Sequence, residues 1–147
     1  MVNIIVCMKV VPRSEEVKVN EETKTLERGN VRSLLNPADM NALEMGLRLK
    51  ERYGGRITLL SMGPPNFDPY LRFALAVGAD DAVLLSDRAF AGADTLATSY
   101  SLAQGIKKLG KYDLVLCGEE SSDGATAQVP PGIAEWLDVP QITYATD

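Results

Sequence analysis

The sequence predicts an α/β fold, a doubly wound and mostly parallel five-stranded sheet with helices on both faces. Three observations predict it. Short, nearly continuous apolar runs recur along the chain, as in strands buried on both faces. Segments whose apolar residues follow a helical spacing lie between them. Capping and turn residues mark the junctions, so the chain reads as repeated βα units joined by right-handed crossovers.

The first run, residues 2–10 (VNIIVCMKV), is rich in β-branched and apolar residues and predicts a strand. Residues 12–35 break the pattern. There EVKVN and TKTLERG flank a turn-like Glu21-Glu22, which predicts a short hairpin, or an ordered loop, inserted after the first strand. A helix over 36–53 follows. Asn36 is suited to the N-cap and Pro37 to the first helical position, Met40, Leu43 and Leu47 recur at helical intervals, and Gly54-Gly55 stop the helix. Strands are then predicted at 56–62, 81–86, 113–117 and 141–144, alternating with helices at 69–77, 94–109 and about 126–137.

At 147 residues the chain suits one domain with a real core, and 46% hydrophobic with 24% charged residues is an ordinary folding composition. The net charge of −5 and the lack of a Lys/Arg cluster argue against a nucleic-acid partner. No apolar run is long enough to span a bilayer and no signal peptide is visible, so the expected location is the cytoplasm, or the matrix for a mitochondrial protein. Cys7 and Cys117 fall within predicted central strands and read as buried thiols. The chain has no histidine, which excludes Ser-His-Asp and Cys-His catalysis and most zinc sites. No catalytic or metal-ligating set is expected, and any chemistry must come from a cofactor. Asp80-Asp81 and Glu119-Glu120 read as solvated charges, and Trp136, among Ile133, Ala134 and Leu137, reads as core.

In such sheets, ligands bind beyond the carboxyl ends of the strands, where the strand order reverses. Residues 117–140 (CGEESSDGATAQVPPGIAEWLDVP) are the most informative part of that edge. A strand there gives way to a loop of small and hydroxylated residues and then to a helix, so backbone N–H groups can approach a phosphate. Turn chemistry alone would also select such residues. Asp94 is suited to the N-cap of its helix, with Thr95 and Thr98 in the first turn, and these can either cap the helix or meet a ligand. Neither a Walker A sequence nor a GxGxxG fingerprint occurs.

Five blocks in order carry a resemblance to the β subunit of electron-transfer flavoproteins: IIVCMKVVP, LLNPADMNALEMGLRLKE, ITLLSMGPP, ALAVGADDAVLLSD and DGATAQVPPGIAEWLDVPQITYA. The resemblance implies an adenine-nucleotide α-hydrolase-like domain over residues 1–147, paired with a larger FAD-bearing α subunit. In that family the β pocket holds either a structural AMP or, in electron-bifurcating members, a second FAD. Residues 84–106 (LLSDRAFAGADTLATSYSLAQGI) are similar to the bifurcating kind, so FAD is the expected cofactor and AMP the alternative. The implied function is electron transfer, with bifurcation from NADH to ferredoxin or flavodoxin and to an acyl-CoA dehydrogenase or similar acceptor. A stand-alone nucleotide-binding regulatory domain is a further alternative.

By resemblance, Cys7, Asn36, Asp39 and Met62 line the adenosine part of the pocket, and Thr95, Thr98, Gly118, Asp123, Gly124, Thr126 and Gln128 hold phosphate and ribose, with Ala125 in the same loop. This chain departs from the family where Glu119 stands in place of Lys, Ala125 in place of an acidic residue and Pro130 in place of Gly. Family members also continue into further sheet and a C-terminal arm that this sequence lacks, so weak assembly with the α subunit is expected.

Overall fold

The alternation in VNIIVC decides how the molecule is layered. In the computed structural model, which describes residues 1–13, 18–19, 21–22, 26–27 and 32–146, Ile4 and Val6 enter one hydrophobic cluster while Ile5 and Cys7 enter another. A strand sends successive side chains to opposite faces, so one buried strand serves two cores. The elements in chain order are β1 (Val2–Cys7), β2 (Val10–Pro12), β3 (Lys18–Val19), β4 (Leu26–Glu27), β5 (Ser33–Leu35), α1 (Pro37–Tyr53), β6 (Gly55–Met62), α2 (Asp68–Val77), β7 (Asp81–Leu85), α3 (Thr95–Leu109), β8 (Leu114–Cys117) and α4 (Val129–Leu137). Strands β1, β6, β7 and β8 form one parallel sheet in the order β7-β6-β1-β8.

Helices cover both faces, as the sequence implies. Ala42, Leu43 and Ala74, from α1 and α2, pack on the face of Ile4, Val6, Ile57 and Leu59. Leu102, Ile106 and Ile133, from α3 and α4, pack on the face of Ile5, Cys7 and Leu60. The chain builds outward from β1 through β6 to β7, then returns to lay β8 on the other side of β1. The reversal therefore lies between β1 and β8, and in sheets of this kind the crevice for a ligand is expected beyond their carboxyl ends.

Four parts of the sequence reading change. The sheet has four strands rather than five. Residues 141–144 form no strand: Ile142 is 88% exposed and so gains nothing from burial, and Tyr144 has φ +54°, outside the extended region. The first strand ends at Cys7 instead of continuing to Val10. Beyond it the Lys9 N–H turns to the Asp39 carboxylate, and Val10–Pro12 pairs antiparallel with Ser33–Leu35. This pairing, with β3 against β4 and a turn at Glu21-Glu22, makes the insertion a hairpin; the remainder of EVKVN and TKTLERG lies outside the described residues. Helix α4 begins at Val129 rather than near Thr126, because Ala125 and Ala127 adopt φ of +49° and +53° and interrupt a right-handed helix.

Trp136 also departs from its expected core position. It is 38% exposed, its indole N–H donates to Ser99 Oγ at 3.2 Å, and its ring meets Tyr100 edge-on at 5.1 Å between centroids. It seals the α3–α4 seam. The two helices approach closely there because position 132 is glycine: a Cβ on Gly132 would come within 2.7 Å of Ser99 Oγ.

Leu59, fully buried between β6 and the first helix layer, tests the assigned core. Leu59→Ala is expected to destabilise the protein by about 2–5 kcal/mol, read as a lower urea midpoint at unchanged m-value.

Candidate functional site

The carboxyl ends of β1 and β8 meet at Cys7 and Cys117, which are partners in register. A hydrogen bond to the Cys117 thiol, then burial, then the neighbouring Cys117 and Asp39 charges push the Cys7 thiol well above its usual range. Cys7 is therefore an inert, protonated floor. Met62, at the end of β6, packs on the same face, so the three sulfur side chains lie under the α3–α4 side of the crevice.

Past these residues the two chains are held together by α1. Asp39, in its first turn, accepts the Lys9 N–H through Oδ2 at 2.8 Å and the Gly118 N–H through Oδ1 at 3.1 Å. A single carboxylate thus bridges the exits of β1 and β8. Burial raises its pKa to about 6, partly offset by the Lys9 N–H, the Asn36 amide, the Gly118 N–H and the Lys9 charge. Gly118 has to be glycine, since a Cβ there would fall on Asp39 Oδ1 and on the backbone between Ala38 and Asp39.

Asn36 occupies the N-cap position, yet its side chain makes no capping bond. Its amide is spent across the crevice: Nδ2 donates to the Glu120 carbonyl at 2.8 Å, and Oδ1 accepts the Ser122 N–H at 3.0 Å. Asn36 is only 2% exposed, so it acts as a strut for the β8–α4 loop. The Lys9 ammonium ties down the next stretch, meeting Asp123 Oδ1 at 2.7 Å and Ser121 Oγ at 3.4 Å. Burial acts to raise the Asp123 pKa, but the Lys9 ammonium, the Ser121 hydroxyl and a backbone N–H outweigh it and hold the carboxyl below its ordinary value.

The loop then changes hand twice. The Ala125 N–H closes a turn on the Ser121 carbonyl at 2.8 Å; Ala125 and Ala127 are left-handed, and Gln128 returns to φ −94°. Alternation of hand is the backbone pattern that can bring successive N–H groups to one side, as anion-binding loops do. Among the described residues, no acceptor meets the N–H groups of Thr126, Ala127 or Gln128. Thr126 and Gln128 are exposed. Pro130 and Pro131, in the first turn of α4, contribute no N–H, so the donors belong to the loop more than to the helix.

At the start of α3 the capping reading holds: Asp94 Oδ1 accepts the Ala97 N–H at 2.8 Å. Thr95 and Thr98 are half-buried in that first turn. Ser99 contacts Gly132, so Thr95 and Gln128, each one turn earlier, begin two neighbouring helices at the same level. The structure thus joins Cys7, Asn36, Asp39, Gly118, Asp123 and Gly124 by register and hydrogen bonds, with Ala125, Thr126 and Gln128 on the adjoining loop.

The arrangement can bind and orient. Among the described residues, no three His, Cys, Asp or Glu side chains gather as a metal site. The acidic pair at Asp80-Asp81 sits at the opposite, amino edge, where Lys50 meets Asp80 at 2.7 Å and Arg56 meets Asp81 at 2.6 Å. A shallow depression of about 390 Å³ at that edge, bordered by Asn3, Arg56 and Lys111, contains no residue of the candidate site. Glu119 and Glu120 are solvated, as expected. Among the described residues, no helix is long and apolar enough to cross a membrane.

A sheet reversing beside its first strand, with a small-residue loop of unpaired N–H groups after β8, is one fold among several that hold nucleotides. The choice among them is made by the electron transfer flavoprotein domain family, which matches residues 23–147. This chain belongs to that family. It is 57% identical over 142 residues to the electron transfer flavoprotein subunit beta of Clostridium acetobutylicum, covering 97% of this chain and 54% of the relative. Protein FixA of Bradyrhizobium diazoefficiens is 52% identical over 144 residues, covering 95% of this chain and 50% of FixA. The caffeyl-CoA reductase-Etf complex subunit CarD of Acetobacterium woodii is 53% identical over 145 residues, covering 98% and 55%. The chain thus spans about half the length of the curated relatives it matches.

Within this electron transfer flavoprotein domain, Lys9, Ser121, Ser122 and Ala127 lie at the edge where the sequence places a ligand, but the sequence assigns them no role in the site. Lys9 lies next to Cys7 and Met8 at the expected edge, but nothing in the sequence pairs it with Asp123. Left-handed alanines leave no sequence signal either, since glycine and asparagine are the usual markers.

Asp39 gives the site a pH signature. Its pKa is raised on folding, so between about pH 4 and 6 the native state binds the extra proton and this group's contribution to stability falls as pH rises. Asp39→Asn removes that contribution. Across this window the stability of the variant relative to wild type is therefore expected to increase with pH, by up to about 3 kcal/mol, in urea titrations at each pH.

Proposed function

We propose that this chain is the nucleotide-binding part of an electron-transfer flavoprotein β subunit, that it holds FAD at the carboxyl edge of its sheet, and that it works in a complex with a flavin-bearing α subunit. The observation that carries this reading is the run of unpaired N–H groups at Thr126, Ala127 and Gln128, in the loop that begins at Gly118, a position that tolerates no side chain. These neutral donors suit a diphosphate without requiring a Lys-rich loop. The sulfur floor of Cys7 and Met62 gives an apolar surface for adenine, and Thr95 with Gln128 offers polar groups to phosphate and ribose. A bound flavin supplies the hydride- and electron-accepting chemistry that a histidine-free chain lacks.

The share of this chain is to bind, orient and exclude water. Asp39 and Asn36 fix the loop so that its amides face the ligand before it arrives, lowering the ordering cost of binding. The likeness to CarD, named as part of a caffeyl-CoA reductase-Etf complex, supports the bifurcating reading, with NADH as donor and ferredoxin or flavodoxin and an acyl-CoA dehydrogenase-type enzyme as acceptors. Structural AMP is the alternative outcome.

Denaturing the native complex and identifying the released nucleotides separates the two. Two FAD per α/β pair are expected; one FAD with one AMP assigns the β site to AMP, and a single FAD with no second nucleotide refutes the reading. Thr126→Val is expected to lower occupancy of the β site severalfold through loop contacts with phosphate; full occupancy removes the Thr126 hydroxyl from the site.

A further inference from the structure

Lys9 ties the exit of β1 to both α1 and the β8–α4 loop through different atoms. Its N–H is held by Asp39, its carbonyl accepts the Asn36 N–H at 2.8 Å, and its ammonium reaches Asp123 and Ser121. The two halves of that residue do different work. The backbone belongs to the strut built by α1, whereas the side chain alone crosses to the tip of the β8–α4 loop.

The charges make this crossing consequential. Residues 118–128 carry Glu119, Glu120 and Asp123 and no Lys or Arg, an unfavourable setting for an anionic ligand. Asp123 is the buried one of the three, with a side chain 10% exposed, and its contact with Lys9 is direct at 2.7 Å. An uncompensated carboxylate there would repel phosphate and also be costly to bury. The Lys9 side chain is 46% exposed, so its stem lies against the protein while the ammonium end stays close to solvent.

We infer that Lys9 is a positioning residue for the phosphate-bearing ligand: by holding Asp123 and Ser121 it fixes the loop whose amides at Thr126, Ala127 and Gln128 receive the phosphate, and it cancels the carboxylate nearest to them. The inference rests on the proposed nucleotide site. It assigns Lys9 no contact with the reacting part of any cofactor.

The test uses the native complex stripped of nucleotide, titrated separately with FAD and with AMP, in wild type, Lys9→Met, Lys9→Gln and Lys9→Arg. Loss of a charge-assisted contact is expected to weaken the bound nucleotide about tenfold or more in Lys9→Met, with Lys9→Arg within about threefold of wild type. In the unliganded protein, amide hydrogen exchange at residues 124–128 is expected to accelerate in Lys9→Met while the amides of β1 and β8 keep their protection. A merely structural role would raise exchange across β1 and β8 alike and overturn the inference, as would an affinity within threefold of wild type. Lys9→Gln answers the same question should the Met variant fail to fold. If wild type binds neither FAD nor AMP, the nucleotide reading fails, and the exchange data still decide whether Lys9 holds the loop.

Discussion

The buried Asp39 carboxylate is the constraint on which the crevice depends. Strands β1 and β8 are neighbours in the sheet but far apart in sequence, and their chains part after Cys7 and Cys117. Parting removes the ladder that had satisfied both backbones. Asp39 supplies an acceptor to each at the point of separation, the Lys9 N–H on one side and the Gly118 N–H on the other. A buried carboxylate is expensive, and the rise of its pKa to about 6 records that expense. The arrangement is tolerable because the alternative is two buried N–H groups with no partner.

From that carboxylate the rest of the site follows in layers. Asn36, one turn-start earlier on the same helix, holds the loop at Glu120 and Ser122, and Lys9 holds it again at Ser121 and Asp123. Three successive anchors leave residues 124–128 little freedom, which is the condition for keeping Ala125 and Ala127 left-handed. Each such residue costs on the order of 1 kcal/mol or more, and strain of this kind persists only where the surroundings over-determine it. The direction of cause runs from helix α1 through the anchors to the strained loop, and from the loop to the aligned amides.

Much of this was readable from residue types. The buried strands were evident because VNIIVC, RITLLSM and DLVLC carry few polar residues, and α1 was evident from Asn36-Pro37 and the spacing of Met40, Leu43 and Leu47. The loop after β8 stood out because its small and hydroxylated residues let a backbone approach a ligand, whereas Gly118 and Asp123 were singled out by the family resemblance. What could not be read were the long-range partners. Asn36 looked like a helix cap and is instead a strut, because a loop 84 residues away competes for its amide and wins. Residues 141–144 have strand composition, but composition cannot state whether a sheet edge receives them. Trp136 followed an apolar helical stripe into a seam between two helices, since a stripe specifies a face and not what lies against it.

The loop's chemistry resolves an apparent conflict in its composition. An acidic segment at the proposed phosphate site looks like an error if phosphate is assumed to be held by cations. In the proposed reading the phosphate meets backbone amides, which are neutral and held by the strained backbone, and the exposed Glu119 and Glu120 are screened by water. The carboxylate that is buried nearby, Asp123, is also the one paired with an ammonium. Prolines at 130 and 131 extend the same logic: they remove N–H groups from the start of α4 and leave the loop, rather than the helix, as the source of donors. Selectivity in such a site comes from where rigid dipoles point, and that direction is set by the carboxylate of Asp39 on the far side of the sheet's switch point.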